Sequence, residues 1–300
     1  MPQRTVTILA LAVLATVPRV TAKILSYRTF NAVGVANLES TIDNLKGLSW
    51  VKGVGAEDVN SKERSFDQSF YLGTPDDFDF GSTGACALFF TQTSDRVKFG
   101  DGDPRNTEGT CKDAMTDSCI SAMVDRAKKV DMQGLSGKAA CEKLQKDFSD
   151  NLDSACTSFA QGSRWSGIKA QALSGDGSPD AISDQQNITS TCWPVLPKSD
   201  DLTFVESTNA TGNLDASTLI KNFFSITPIL TVFFPGNGNS SLVSRPEAQL
   251  TCVKTIDLTT ASNATQSPTD NNKNAAGQLV SGKNALWVGL MSITLSAFFI

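Results

Sequence analysis

The chain has 300 residues, a formal net charge of −5, seven cysteines and no histidine. The absence of histidine excludes Ser-His-Asp and Cys-His catalytic pairs and histidine-ligated zinc. The acidic balance argues against a nucleic-acid-binding surface, which needs clustered basic residues. Paired carboxylates are therefore the main catalytic device left to consider.

The first 22 residues have the pattern of a secretory signal peptide. Arg4 supplies the positive charge, and residues 6–17 are apolar apart from two threonines. Val20 and Ala22 place apolar or small side chains at −3 and −1 of a cleavage site before Lys23. The apolar run is too short for a membrane-spanning helix. We therefore expect residues 1–22 to be removed and the chain to enter the secretory pathway.

Residues 23–81 contain no cysteine and are predicted to be a separate lobe or an N-terminal extension of the sheet that follows. Within them, residues 66–72 weakly indicate a strand. Asp76, Asp77 and Asp79 are the densest acidic cluster in the chain and could work as acid and base in glycoside hydrolysis. The same residues also suit an ordinary turn.

Asp101 and Asp103 form a second acidic cluster and are candidates for carboxylate catalysis, and together with Glu108 they are candidates for calcium binding. The spacing fails the EF-hand rule, because Asn106 stands where glycine is required and no glutamate occupies the twelfth position. A solvated acidic loop is the favoured interpretation. We predict no metal site, no cofactor and no catalytic residue.

Two helices are predicted in the middle of the chain. The first covers residues 110–130 and begins with a capping box of Thr110 and Asp113. The second covers residues 136–159, where apolar residues recur in steps of three and four. A turn at Gly134 would join them as an antiparallel hairpin.

Residues 84–92, 229–234 and 248–256 are short apolar runs bounded by Gly, Pro or Asn, which indicates strands. Together with the helices they predict an α+β fold. The expected architecture is a disulfide-stapled domain, residues 82–258, with an antiparallel helical hairpin packed on a mostly antiparallel β-sheet.

The seven cysteines are candidates for disulfide bonds, because disulfides are the default in a secreted protein. They are Cys86, Cys111, Cys119, Cys141, Cys156, Cys192 and Cys252. An odd number leaves at least one free thiol or an intermolecular bond. The chain contains no C-x2-C pair and no histidine, which argues against metal binding.

The predicted helical hairpin favours particular cysteine pairs. Residues 111 and 156 lie at similar distances in sequence from the turn at Gly134, so we expect a Cys111–Cys156 bond. Cys252 would then pair with Cys192, the only other cysteine beyond the helices. Cys86, Cys119 and Cys141 would supply one more pair and one unpaired thiol.

Trp165 and Trp193 are the candidate platforms for stacking on a sugar, although packing against a disulfide is the favoured interpretation. Four Asn-x-Ser/Thr sequons, all beyond the second helix, are candidate N-glycosylation sites: Asn187, Asn209, Asn239 and Asn263. Any sequon that is used must lie on the surface.

The C-terminal end has the pattern of a glycosylphosphatidylinositol (GPI) attachment signal. Residues 259–274 are rich in Ser, Thr and Asn and contain no large apolar residue, so we expect a stalk there. Residues 275–300 follow as a removable signal that ends in an apolar tail of sixteen residues. Asn274 is the expected attachment site, with Gly277 and Ser281 as alternatives. Removal of both ends would discard Arg4, Arg19 and Lys283 but no acidic residue, leaving a net charge of −8.

The order of signal peptide, cysteine-rich domain, short stalk and GPI signal resembles that of GPI-anchored surface and cell-wall proteins of filamentous fungi. The resemblance rests on residues 1–22, the cysteine-bearing residues 86–252 and residues 274–300, and it is one of architecture rather than of a family motif. Seven cysteines at these spacings depart from eight-cysteine surface domains, and the chain lacks the repeats of large adhesins. It implies attachment to the outer face of the plasma membrane and possible transfer to the cell wall, where glycans are partners.

The sequence thus predicts a GPI-anchored extracellular protein with a non-catalytic structural or recognition role. The alternatives are a carbohydrate-active enzyme that uses carboxylates and a module that binds a glycan or small ligand. No nucleic-acid partner is expected.

Overall fold

The computed structural model describes residues 30–75, 78–179 and 201–256. Within these residues the chain forms strands and α-helices in the following order: β1 (Ala32–Asn37), β2 (Ser49–Asp58), β3 (Glu63–Thr74), β4 (Thr83–Gln92), α1 (Cys111–Ala114), α2 (Asp117–Lys129), α3 (Gly137–Asp150), β5 (Ser166–Ala172), β6 (Asp201–Asn213), α4 (Ala216–Phe224), β7 (Thr227–Pro235) and β8 (Glu247–Val253). In this described part of the chain, no helix is both long and apolar enough to cross a membrane.

The strands form two four-stranded antiparallel sheets, ordered β1-β2-β3-β6 and β5-β4-β7-β8. A shared apolar core contains Trp50 and Phe70 from the first sheet and Phe89 from the second. The indole Nε1 of Trp50 donates to Thr231 Oγ1 across this core at 2.9 Å. The buried polar atoms of this contact are therefore paired.

The two central strands of the second sheet are buried on both faces. In β4, Phe89 faces the first sheet, whereas Leu88 and Phe90 belong to a second core shared with the helices. Burial on both faces explains why β4 and β7 read as continuous apolar runs in the sequence. The predicted strands at residues 66–72, 84–92, 229–234 and 248–256 correspond to β3, β4, β7 and β8.

Helices α2 and α3 lie on the outer face of the second sheet. Helix α2 contacts β7 and β8, and α3 contacts β4 and β5. Both begin at side-chain caps, Thr116 for α2 and Ser136 for α3. The α+β class and the antiparallel sheets agree with the sequence-based expectation. The closely paired helical hairpin remains a prediction.

Both predicted helices are shorter than the apolar periodicity indicated. The first is interrupted at Met115, whose backbone is extended, and Thr116 caps a new helix. The second ends at Asp150, and a short 3-10 turn follows at Ser154–Cys156. Arg126 donates to the carbonyl oxygens of Asp147 and Asn151 at the end of α3, which satisfies groups that a longer helix would have used.

The structure contains three disulfides among the described residues. Cys86–Cys141 and Cys111–Cys252 join the helical layer, which consists of α1, α2 and α3, to the second sheet. Cys119–Cys156 joins α2 to the 3-10 turn that follows α3. The expected Cys111–Cys156 and Cys192–Cys252 bonds are wrong. Because α3 ends early, Cys156 lies beyond it and returns to α2 beside Cys119. The break after α1 leaves Cys111 against β8 and Cys252. Cys192 lies outside the described residues.

Residues 55–58 of β2, 63–68 of β3 and 207–213 of β6 form a three-stranded part of the first sheet, beyond the residues of β2 that pair with β1. Helix α4 covers one of its faces, where Phe223 packs on Phe66 with ring centroids 5.5 Å apart. Because β6 completes the sheet begun by β1–β3, this sheet takes strands from both sides of the expected boundary at residue 81.

Candidate functional site

The described residue of the first acidic cluster, Asp79, stabilises a turn. The Asp79 carboxylate is exposed and accepts a hydrogen bond from the Gly81 backbone N–H at 2.9 Å. This is the local geometry by which aspartate stabilises turns. Asp76 and Asp77 lie outside the described residues.

The carboxylates of the second acidic cluster pair with neighbouring cations. Asp101 contacts Lys98 Nζ at 2.5 Å, and this hydrogen bond lowers the pKa of the carboxyl. Hydrogen bonds from Arg105 lower the pKa of Asp103 to about 2. A catalytic general acid needs a raised pKa, so these shifts run in the wrong direction for that role.

Glu108 does not complete a metal site with these two acids. Among the described residues, no group of three or more His, Cys, Asp or Glu side chains is placed to hold a metal ion. The carboxylates that could have been calcium ligands are engaged by Lys98 and Arg105 instead.

Trp165 is a core residue with 2% of its surface exposed. Its ring packs edge-on against Phe90, with centroids 4.9 Å apart. It therefore offers no face to a sugar. Trp193 lies outside the described residues.

Sequence reasoning missed a cluster of buried lysines at one end of the sandwich. The buried-lysine cluster is defined here as Lys52 and Lys254 together with Thr107, Ser225 and Thr227. Lys52 is fully buried, and its Nζ donates to Ser225 O at 2.8 Å and Thr227 Oγ1 at 3.0 Å. Lys254 Nζ donates to Thr107 O at 2.6 Å.

Burial shifts both lysines away from their ordinary pKa. Desolvation, with a contribution from the nearby charge of Lys254, lowers the pKa of Lys52 to about 7. Desolvation also lowers the pKa of Lys254 to about 8, although Glu108 and Asp103 act in the opposite direction. A buried ammonium without a contacting carboxylate costs stability while it remains charged.

The cluster holds the C-terminal end of α4. The carbonyl of Ser225, the residue that ends the helix, accepts from Lys52, while Gln68 Nε2 donates to Asn222 O at 3.2 Å. The Thr255 hydroxyl donates to Phe223 O. A helix C-terminus carries partial negative charge and favours a cation, so this arrangement is a structural cap.

One signal in the sequence places Lys52 inside the sandwich. Trp50, Lys52 and Val54 alternate along β2 and therefore share one face, and all three are buried. The burial of Lys52 is indicated by its place between two apolar residues of the same strand face.

A groove of about 530 Å³ lies between α2 and α3. Its lining includes Arg126, whose guanidinium contacts Asp147 at 2.5 Å and Asp153 at 3.3 Å. None of its lining residues is aromatic. The groove therefore lacks the stacking surface with which proteins commonly bind sugars.

Two of the predicted sequons lie on the described surface. Asn209 is exposed on β6, and Asn239 is exposed in the connection between β7 and β8. Asn187 and Asn263 lie outside the described residues, as do the expected signal peptide, stalk and GPI signal with Asn274.

Comparison of the chain with protein-family models, curated proteins and solved structures found no match.

Proposed function

We propose that this chain is a GPI-anchored extracellular surface protein whose domain has a non-catalytic structural or recognition role at the plasma membrane or cell wall. The observation that carries the proposal is the set of three disulfides. Such bonds persist in oxidising compartments, in agreement with the signal peptide predicted at residues 1–22.

The proposal also includes the finer architecture of the helical layer, in which α2 and α3 form an antiparallel hairpin on the second sheet. Support comes from Arg126 on α2, which contacts Asp147 on α3 and the carbonyl oxygens that end α3.

The anchoring half of the proposal is tested on the full chain expressed in a eukaryotic host. Phosphatidylinositol-specific phospholipase C should release the protein from cells, and mass spectrometry should place the modified C-terminus at Asn274. Leu290→Arg interrupts the apolar tail and should abolish attachment, whereas Ser292→Ala should not. Retention on cells after phospholipase treatment, with the tail intact, would overturn the proposal.

The enzymatic alternative predicts release of reducing ends from cell-wall polysaccharides. The pairing of Asp101 and Asp103 with cations supports a non-catalytic role, so we expect no release. Turnover that disappears in Asp101→Asn or Asp79→Asn, but persists in the exposed Asp43→Asn control, would establish the alternative instead.

A further inference from the structure

Strand β6 is an edge strand of the first sheet as the structure describes it. It has thirteen residues, and among the described residues it pairs with β3 on one side only. The other edge strands are shorter, with six residues in β1 and seven each in β5 and β8. Unpaired N–H and C=O groups on a long edge are a template for pairing with another chain.

The first half of β6 contains two of the devices by which proteins protect such an edge. The register shifts between Phe70 and Tyr71, which leaves Val205 as an extra residue on β6, and Glu206 adds a charge. A bulge twists an edge away from an incoming strand, and a charge repels it.

The second half of β6 contains neither device. Residues 207–213 pair with β3 in regular register and include no charged residue and no proline. Residues 209–211 are all exposed. The segment is polar and contains glycine, a composition that specifies strand pairing only weakly and leaves the edge open to pairing with another chain.

The sequon at Asn209 lies at the centre of this unprotected segment. Its cross-strand partner is Asp67, and its Nδ2 donates to Asp67 Oδ1 and Ser65 Oγ, both at 2.8 Å. The side chain thus lies on the face opposite Phe66, which α4 covers. A glycan here would stand on the exposed face of β6, which is an edge strand among the described residues.

We propose that Asn209 carries an N-linked glycan and that this glycan keeps the β6 edge from pairing with a second copy of the chain. The inference rests on the proposed secretory location. Transfer from a lipid-linked oligosaccharide pyrophosphate would form a bond between Nδ2 and the first sugar carbon, break that carbon's bond to the pyrophosphate oxygen and remove one Nδ2 proton. The remaining Nδ2 hydrogen still serves Asp67 or Ser65.

The test compares two substitutions of Thr211, which the sequon requires. Thr211→Ala removes the sequon and adds no charge, whereas Thr211→Lys removes the sequon but places a lysine on the edge. Asn239→Gln removes a sequon in a loop and serves as the control. Each full-length variant is expressed in a glycosylating host and released with phospholipase. Mass spectrometry then maps its glycans, and light scattering measures its mass.

We expect wild type, Asn239→Gln and Thr211→Lys to be monomeric and Thr211→Ala to have at least twice the monomer's polypeptide mass. Unchanged thermal unfolding of Thr211→Ala would show that the domain itself is intact. A monomeric Thr211→Ala protein, or an unmodified Asn209 beside a glycosylated Asn239, would overturn the inference while leaving the proposed function in place. An uncleaved signal peptide with both asparagines unmodified would overturn both.

Discussion

At the scale of single residues, the least expected feature is Lys52, a lysine fully buried between two sheets. Its ammonium group is held by oxygens of Ser225 and Thr227 and lies 5.9 Å from the centre of the Phe70 ring. These contacts orient the group but do not neutralise its charge. Titration of Lys52 should therefore be visible in the stability of the domain.

The pH dependence has a definite sign. Lys52 has a pKa of about 7 in the folded protein, against an ordinary value of 10.5. Between these values the unfolded chain binds the proton that the folded chain has lost, so stability rises with pH above 7 and falls as the pH drops through 7. Lys254, with its pKa lowered to about 8, contributes in the same direction.

We predict that the free energy of unfolding of the wild-type protein increases between pH 7 and pH 9. In Lys52→Met the rise in the free energy of unfolding per pH unit should be smaller by up to about 1.4 kcal/mol. Denaturant titrations at pH 7, 8 and 9 measure this free energy. Lys62→Met, which changes an exposed lysine in the turn between β2 and β3, should retain the wild-type slope. An equal slope in Lys52→Met and wild type would contradict the burial of the charge.

At the scale of secondary-structure elements, Arg126 connects α2 to the end of α3. Only 17% of its side chain is exposed, and its three guanidinium nitrogens reach Asp147, Asn151 and Asp153. Its guanidinium carbon also lies 5.0 Å from the centre of the Phe148 ring. Several charge-assisted contacts from one partly buried group should stabilise the layer more than an exposed ion pair does.

We predict that Arg126→Lys lowers the free energy of unfolding by about 1–3 kcal/mol, because lysine cannot reproduce the planar set of donors. The matched control is Lys146→Ala, which removes the exposed pair with Asp150 on α3 and should cost less than about 0.5 kcal/mol. Denaturant unfolding at one pH compares them. Equal losses in the two variants would show that Arg126 is an ordinary surface arginine.

At the scale of the whole molecule, the disulfides decide how the layers are connected. Cys111–Cys252 joins the first helix to the last strand across 141 residues, and Cys86–Cys141 joins β4 to α3. Gly34 lies where the two sheets meet, and a Cβ there would be 1.7 Å from the Lys254 carbonyl oxygen. The sheets thus approach each other more closely at this corner than any residue larger than glycine would allow.

We predict that peptide mapping of the non-reduced protein recovers the three bonds of the structure and that Cys192 is left without a partner in the same chain. Alkylation of the denatured, non-reduced protein should label Cys192. In Cys192→Ser this label should disappear while the three bonds persist. Recovery of a peptide joining Cys192 to Cys252 would restore the connectivity expected from the sequence and contradict the structure.

The sequence by itself determined the α+β class, the strands β4, β7 and β8 and the central parts of helices α2 and α3. Each of these follows from local apolar periodicity or from a continuous apolar run. It also indicated that Asp101 and Asp103 belong to an acidic loop rather than a metal site, because turn chemistry is local.

Only the tertiary structure decided the disulfide pairing, the burial of Lys52 and the open edge of β6. Pairing depends on where α3 ends, and that end is set by Arg126, a residue on another helix. Lys52 is buried because a second sheet covers the face it shares with Trp50. Among the described residues, β6 has an open edge because it crosses to the sheet begun by β1–β3, where it pairs with residues of β3 that are 127 to 150 positions away in the sequence. Contacts between distant residues leave no periodic trace in the sequence. For Lys52, the alternation with Trp50 and Val54 indicates which face of β2 it shares, but not that a second sheet covers that face.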